Sequence, residues 1–140
     1  MKTINENNKW GARSASYWMV LLIAAGIIFL GIRFIVSPHT GAIAFGIDFS
    51  SENDIAYGRT KGIRDIFSGL ALLPLVFLGM RRATAWVFSA ATIIPIADCL
   101  IVLSTNGPSD IQHIMMHGLT AIYMMVSSFL LFRDKNLKTA

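Results

Sequence analysis

The chain has 140 residues, of which 54% are hydrophobic and only 14% charged, and its formal net charge is +4. It is too apolar for an ordinary soluble domain, and its apolar residues fall in long blocks rather than amphipathic stripes, so it reads as an all-α, multi-pass integral membrane protein. Lys and Arg gather at the ends of those blocks, where they anchor helices at the interface, which excludes nucleic-acid binding; the single cysteine, Cys99, excludes an internal disulfide, a paired-thiol redox relay and a thiolate zinc site.

The opening segment, MKTINENNKWGARSAS, is polar and basic. The apolar block behind it is too long for a signal-peptide core and lacks a small-residue cleavage site, so it is expected to stay as a membrane helix over about residues 17–36. Trp10, Tyr17 and Trp18 suit an interfacial belt at its start, Arg33 lies about one turn from its far end, and Ser37-Pro38 stops it. Residues 37–59 form the longest loop, with Asp48, Glu52, Asp54, Tyr57 and Arg59; its AIAFGIDF portion is expected to lie on the membrane surface or to re-enter as a cap.

A second helix is expected over about residues 60–80, TKGIRDIFSGLALLPLVFLGM, whose first turns carry Lys61, Arg64 and Asp65. Arg81-Arg82 separates it from a third, about 83–104, with Pro74 and Pro95 expected to kink their helices and open room between them. TNGPSD leads to the fourth, about 111–132, which contains His113, His117, Thr120 and a run rich in Met. Each block meets the roughly 20-residue requirement for crossing a bilayer, so residues 1–140 read as one transmembrane domain, a four-helix bundle.

Lys2, Lys9 and Arg13, then Arg81 and Arg82, then Arg133, Lys135 and Lys138 share one side, which puts both termini in the cytoplasm. Arg59, Lys61 and Arg64 break that rule on the outer side. The chain is expected in the cytoplasmic membrane, the inner membrane of a bacterial source.

At about 1.5 Å per helical residue, Arg33, Arg64, Asp65, Asp98 and His117 converge on one slab of the outer half, with His113 nearer the surface. Gly62, Asp65 and Gly69 share a face, as do Ala91, Pro95 and Asp98, then His113, His117, Thr120 and Met124, and also Gly26, Leu30 and Arg33. Small residues mark close packing in membranes, so these faces point into the bundle and line a polar pocket above an apolar floor.

Several of these stretches resemble a known family. RF…P from Arg33 to Pro38, KGIRDIFSGL from Lys61 to Leu70, IPIAD from Ile94 to Asp98 and the His117-Gly118 pair are similar to the short four-helix membrane proteins grouped as domain of unknown function 4267. The resemblance runs from about residue 17 to 132. It implies a recurring polar pattern at Arg33, Gly62, Arg64, Asp65, Asp98 and His117, and no catalytic assignment comes with it.

The residues leave three functions open. In the first, the protein is a cofactor-independent isomerase, cyclase or lyase that carries out isomerisation, cyclisation or hydration on a lipophilic small molecule. Asp98, or Asp65, is then the general base or acid, His117 its partner, and Arg33, Arg64, Tyr57 and Lys61 contact the substrate. In the second, the cluster is structural, with Arg33 or Arg64 paired to Asp98, and the protein only binds or assembles. In the third, a homo-oligomer works as a small proton-coupled exporter. His113 and His117 have the spacing of a metal pair, but three nearby arginines oppose a divalent cation and no metal is assigned. Lys61 and Arg59 also suit lipid phosphates at headgroup level, so membrane lipids are expected partners.

Overall fold

The computed structural model describes residues 10–133, and among them there is no strand. The six helical segments are α1 (Ala15–Val36), α2 (Pro38–Phe45), α3 (Glu52–Phe77), α4 (Arg81–Ala91), α5 (Ile93–Asn106) and α6 (Ile111–Phe132). Because α4 and α5 form one rod broken only at Thr92, they count as five helices rather than the expected four. Lys2, Lys9, Lys135 and Lys138, which carry part of the orientation expectation, lie outside the described residues.

Two corrections concern residues 37–59. Pro38 does stop α1, but it also occupies the first turn of α2, where its missing N–H and fixed φ suit a helix start. Gly46 then closes α2 at φ 100°, and Ile47 N–H reaches back to Ala42 O at 3.1 Å. A side chain at Gly46 would meet that left-handed backbone and also the His113 ring, 2.7 Å from where its Cβ would stand. Helix α3 begins at Glu52, two turns before the expected start, because Asp54 Oδ2 accepts from the Ser50 and Ser51 N–H groups, each at 2.8 Å.

Three helical stretches are long and apolar enough to cross a membrane: Ala15–Val36, Arg81–Asn106 and Ile111–Phe132. Helix α3, expected as a fourth, is not among them. Charge is spread over its first half, and the apolar run after Asp65, residues 66–77, covers only about 18 Å at the helical rise, against a hydrocarbon core of about 30 Å.

Helix α3 instead lies along α1 in close backbone contact. A Cβ on Gly31 would stand 2.5 Å from Gly62 O, one on Gly62 2.6 Å from Gly31 O, and one on Gly69 2.7 Å from Ala24 O. Gly26, grouped with the packing faces in the sequence, takes no part: a Cβ there meets nothing within 4 Å.

The rod breaks at Thr92 because Pro95 has no N–H to give the Ala91 carbonyl; Thr92 N–H is shared between Phe88 O and Ser89 O, both at 3.2 Å. Pro74 leaves α3 continuous to Phe77.

The apolar core sits at the end where α1 begins and α6 finishes, built from Trp10, Val20, Ala24, Leu72, Val76, Ala85, Phe88, Met124 and Leu131. There Arg81 caps α6: its Nη2 donates to Leu130 O at 2.7 Å and Arg133 O at 2.9 Å, and its Nε to Leu131 O at 3.0 Å. These carbonyls have no partner within their own helix, and a cation at a helix C-terminus also meets the dipole favourably. Arg81→Met is expected to cost about 1.5–3 kcal/mol, the range for hydrogen bonds to charged groups, and Arg81→Lys to restore little of it. Thermal melts in detergent would show the loss.

Candidate functional site

Toward the other end the helices part. Helix α5 packs on α6, and α3 on α1 and at one end on α4, but α5 and α3 share no more than isolated contacts. Between them lies a cavity of about 440 Å³ whose walls come from all six helices. It is within the range of small-molecule sites.

Five of the seven residues singled out from the sequence line this cavity: Arg33, Lys61, Asp65, Asp98 and His117. Arg64 and Tyr57 do not. Arg64 is exposed although it stands one turn from both Lys61 and Ser68 on α3, and Tyr57 is 75% exposed one turn before Lys61. Of the predicted faces, Gly26, Leu30 and Arg33, then Ala91, Pro95 and Asp98, and His117, Thr120 and Met124 all reach the wall. Gly62 and Gly69 turn to α1 instead, leaving Asp65 alone of its trio on the cavity.

Asp65 is buried and pairs with Lys61, Nζ to Oδ2 at 2.6 Å, one turn apart on α3. The pair is not an arginine bridge between helices. Lys before Asp is the less favourable order for a helical pair, so it adds little to helix stability; its effect is to hold the ammonium inward. The ammonium lies over the rings of Phe34, at 4.9 Å, and Phe45, at 5.0 Å.

His117 is buried and its Nε2 lies 2.9 Å from Phe45 O. A carbonyl only accepts, so Nε2 carries a proton, and the tautomer that fits places the lone pair on Nδ1. Among the described residues Nδ1 has no hydrogen-bond partner. Its ring also packs on Phe45, centroids 4.6 Å apart, so α2 fixes the imidazole.

Asp98 stands one turn beyond Pro95 and is half-buried. Lys61, His117 and Asp65 are its titratable neighbours, and no arginine is among them. Neither Asp98 nor Arg33 has a hydrogen-bond or ion-pair partner among the described residues. The guanidinium pairing expected for Asp98 is therefore absent there.

His113 points away from the cavity toward its own helix start. Its Nδ1 lies 2.7 Å from Asp110 Oδ1, and Asn106 donates to both Asp110 Oδ2 and Gly46 O. Asp110 caps α6, and its carboxyl is held below the usual carboxylate range by the Asn106 side chain first and by His113 next. A lowered folded value means stability that is complete above the ordinary Asp range and lost as pH falls through the folded value. Acidification from about pH 5 to about pH 3 should therefore lower the melting temperature of the wild type more than that of Asp110→Asn, which keeps a capping side chain.

The sequence reading missed Phe34 and Phe45 as the seats of Lys61 and His117. The four-residue spacing of Lys61 and Asp65 was a usable signal for their pairing; the bond from His117 to Phe45, across 72 residues, left none.

Fold and cavity define an all-α protein with three helical stretches apolar enough to cross a membrane and a mostly apolar cavity among them. Residues 24–131, more than three quarters of the chain, match the model of the family described as Domain of unknown function (DUF4267). The chain belongs to that family. No curated protein and no solved structure matches it.

Proposed function

We propose that this is an integral membrane enzyme that carries out acid/base chemistry, isomerisation, cyclisation or hydration in type, on a lipophilic small molecule. Helix α3, whose apolar run alone is too short to span, crosses beside α1, to which its glycines hold it, with its charged half standing in the outer layer where Lys61 is neutralised by Asp65. The beginning of α1, Arg81-Arg82 and the end of α6 carry Arg13, Arg81, Arg82 and Arg133, and by the positive-inside rule that end is cytoplasmic. The cavity's polar groups then lie in the outer half.

The observation that carries the reading is the grouping of Asp98, His117 and Arg33, all without a partner for their reactive atoms, on the wall of an otherwise apolar cavity. Charged groups inside membranes are costly and are retained where they pair or act. Asp98 takes a proton from a carbon beside a carbonyl, breaking the C–H bond. Arg33 and Lys61 stabilise the enolate oxygen that develops. Asp98 passes that proton to the lone pair of His117 Nδ1, and the imidazolium so formed, its other proton held on Nε2 by Phe45, returns it from Nδ1 to another carbon, restoring both groups. Atoms and charge balance without an oxidant.

A structural role for the cluster is the second reading, favoured by two contacts that are already satisfied, Lys61 with Asp65 and His117 with Phe45. Mass spectrometry of lipophilic molecules co-purifying with wild type and with Asp98→Asn, followed by incubation of those molecules with each protein, separates the two. Conversion by wild type alone supports catalysis. Equal conversion, or none by either with a lower melting temperature for the variant, leaves the structural role.

A further inference from the structure

We propose that the ligand is an uncharged lipophile with one polar head, seated with the head between Arg33, Asp98 and His117 and the chain running past Gly26, and that Gly26 sets the longest chain admitted. The inference deepens the functional reading above and rests on it for which end receives the head.

Polarity is segregated along the cavity. From Arg33 to Leu22 on α1, and from Lys61 to Leu72 on α3, the wall runs about 16 Å at the helical rise. All its ionisable groups stand at the first end, while Leu22, Ile23, Leu72, Val87 and Met124 make the other. One head and one chain match that division.

Charge chooses the head. Two cations, Arg33 and Lys61, face two carboxylates, Asp65 and Asp98, so a carboxylate or ammonium on the ligand would leave one charge uncompensated in a low-dielectric site. A carbonyl or hydroxyl oxygen adds no charge, accepts from Arg33 and leaves the lone pairs of Asp98 and His117 for protons.

Gly26 is the one glycine of α1 that no close approach requires. Gly31 touches the backbone of α3, whereas a Cβ on Gly26 would meet nothing within 4 Å. Glycine within a helix costs about 1 kcal/mol relative to alanine, so what it preserves is the open space before it. It lies two turns from Arg33, about 10 Å along the axis, so only a chain longer than that passes it. Entry is sideways, through the gap left where α3 and α5 do not pack, rimmed by Phe67 and Ile94.

The test is competition binding in nanodiscs with methyl ketones from heptanone to pentadecanone and the fatty acids of the same lengths, on wild type, Gly26→Leu and Gly26→Phe. Wild type should bind pentadecanone about tenfold or more tighter than pentadecanoic acid. Gly26→Phe should weaken pentadecanone about tenfold or more and heptanone by less than about twofold, with Gly26→Leu between, since the added side chain competes only with the far part of the chain. Melting temperatures should stay within about 2 °C of wild type, because the added Cβ meets no protein atom within 4 Å and the rest of the side chain enters the open cavity.

Unchanged pentadecanone binding in Gly26→Phe, a preference for the acid, or a fall in melting temperature in both variants would overturn the inference. Failure of wild type to bind any ketone overturns it without touching the acid/base reading, which is tested on extracted molecules. Loss of turnover in Asp98→Asn with ketone binding intact leaves both standing.

Discussion

Asparagine in place of Asp98 is expected to lower turnover by roughly 10²- to 10⁴-fold, the usual worth of a general acid or base. The substitution keeps the shape of the side chain and removes only its capacity to take a proton. Because Asp98 has no hydrogen-bond partner among the described residues, no donor is orphaned by the change, and the melting temperature should hold. His117→Ala should cost turnover too, but here stability falls with it, since the Phe45 carbonyl loses its donor and α2 its ring contact. His117→Gln keeps a donor for that carbonyl and serves as the cleaner variant. An Asp98→Asn protein that melts well below wild type and converts the same molecules at the same rate would make the cluster a lock and nothing more.

The other large effect is structural. Leucine at Gly62 must place its Cβ 2.6 Å from Gly31 O and 2.9 Å from Ile35 Cγ1, and the first of these is backbone that cannot swing aside. Forcing α1 and α3 apart is expected to cost at least about 1–3 kcal/mol, or a fall of roughly 3–12 °C in melting temperature. Gly31→Leu should do the same from the facing helix, its Cβ meeting Gly62 O at 2.5 Å. Leucine at Gly26, on the same helix as Gly31, should leave the melting temperature alone. If both helix-contact variants melted with wild type, the intimate α1–α3 seam would be refuted.

The contrast among these glycines shows where the sequence stopped being informative. Periodicity put Gly26, Leu30 and Arg33 on one face of α1, and small residues were read as packing; the first point is geometry, the second depends on which neighbour stands opposite. Only the fold shows that Gly31 meets α3 while Gly26 faces a cavity. Apolar blocks marked the three stretches long enough to span, because burial in lipid needs length and little else. Residues 38–59 were less legible, since a polar or short helix above a membrane carries no hydrophobic block. Its signals were local ones, Pro38 at a first turn, Gly46 at a stop and Asp54 three residues after Ser51.

For the cavity, depth estimates brought Arg33, Asp65, Asp98 and His117 to one level, since helical rise is fixed. What they could not give was pairing. Lys61 reaches Asp65 on its own helix, and His117 reaches a carbonyl of α2, a helix whose place over the bundle is tertiary information. Arg64 and Tyr57 stay exposed and off the cavity wall, although each is one turn from a lining residue of α3, Ser68 and Lys61, so neither depth nor helical spacing separates them.

The three bonds from Arg81 to the end of α6 have a mechanical consequence. They pin the start of α4 to the finish of α6 at the end already filled by the core. Helix α6 is 22 residues long, about 33 Å, and its other end is tied to α2, by His117 to Phe45 O and, through Asp110 and Asn106, to Gly46 O. The wall that α6 gives the cavity is therefore a beam carried on two supports, one at Arg81 and one at α2, and its spacing from the facing helices is set at both ends.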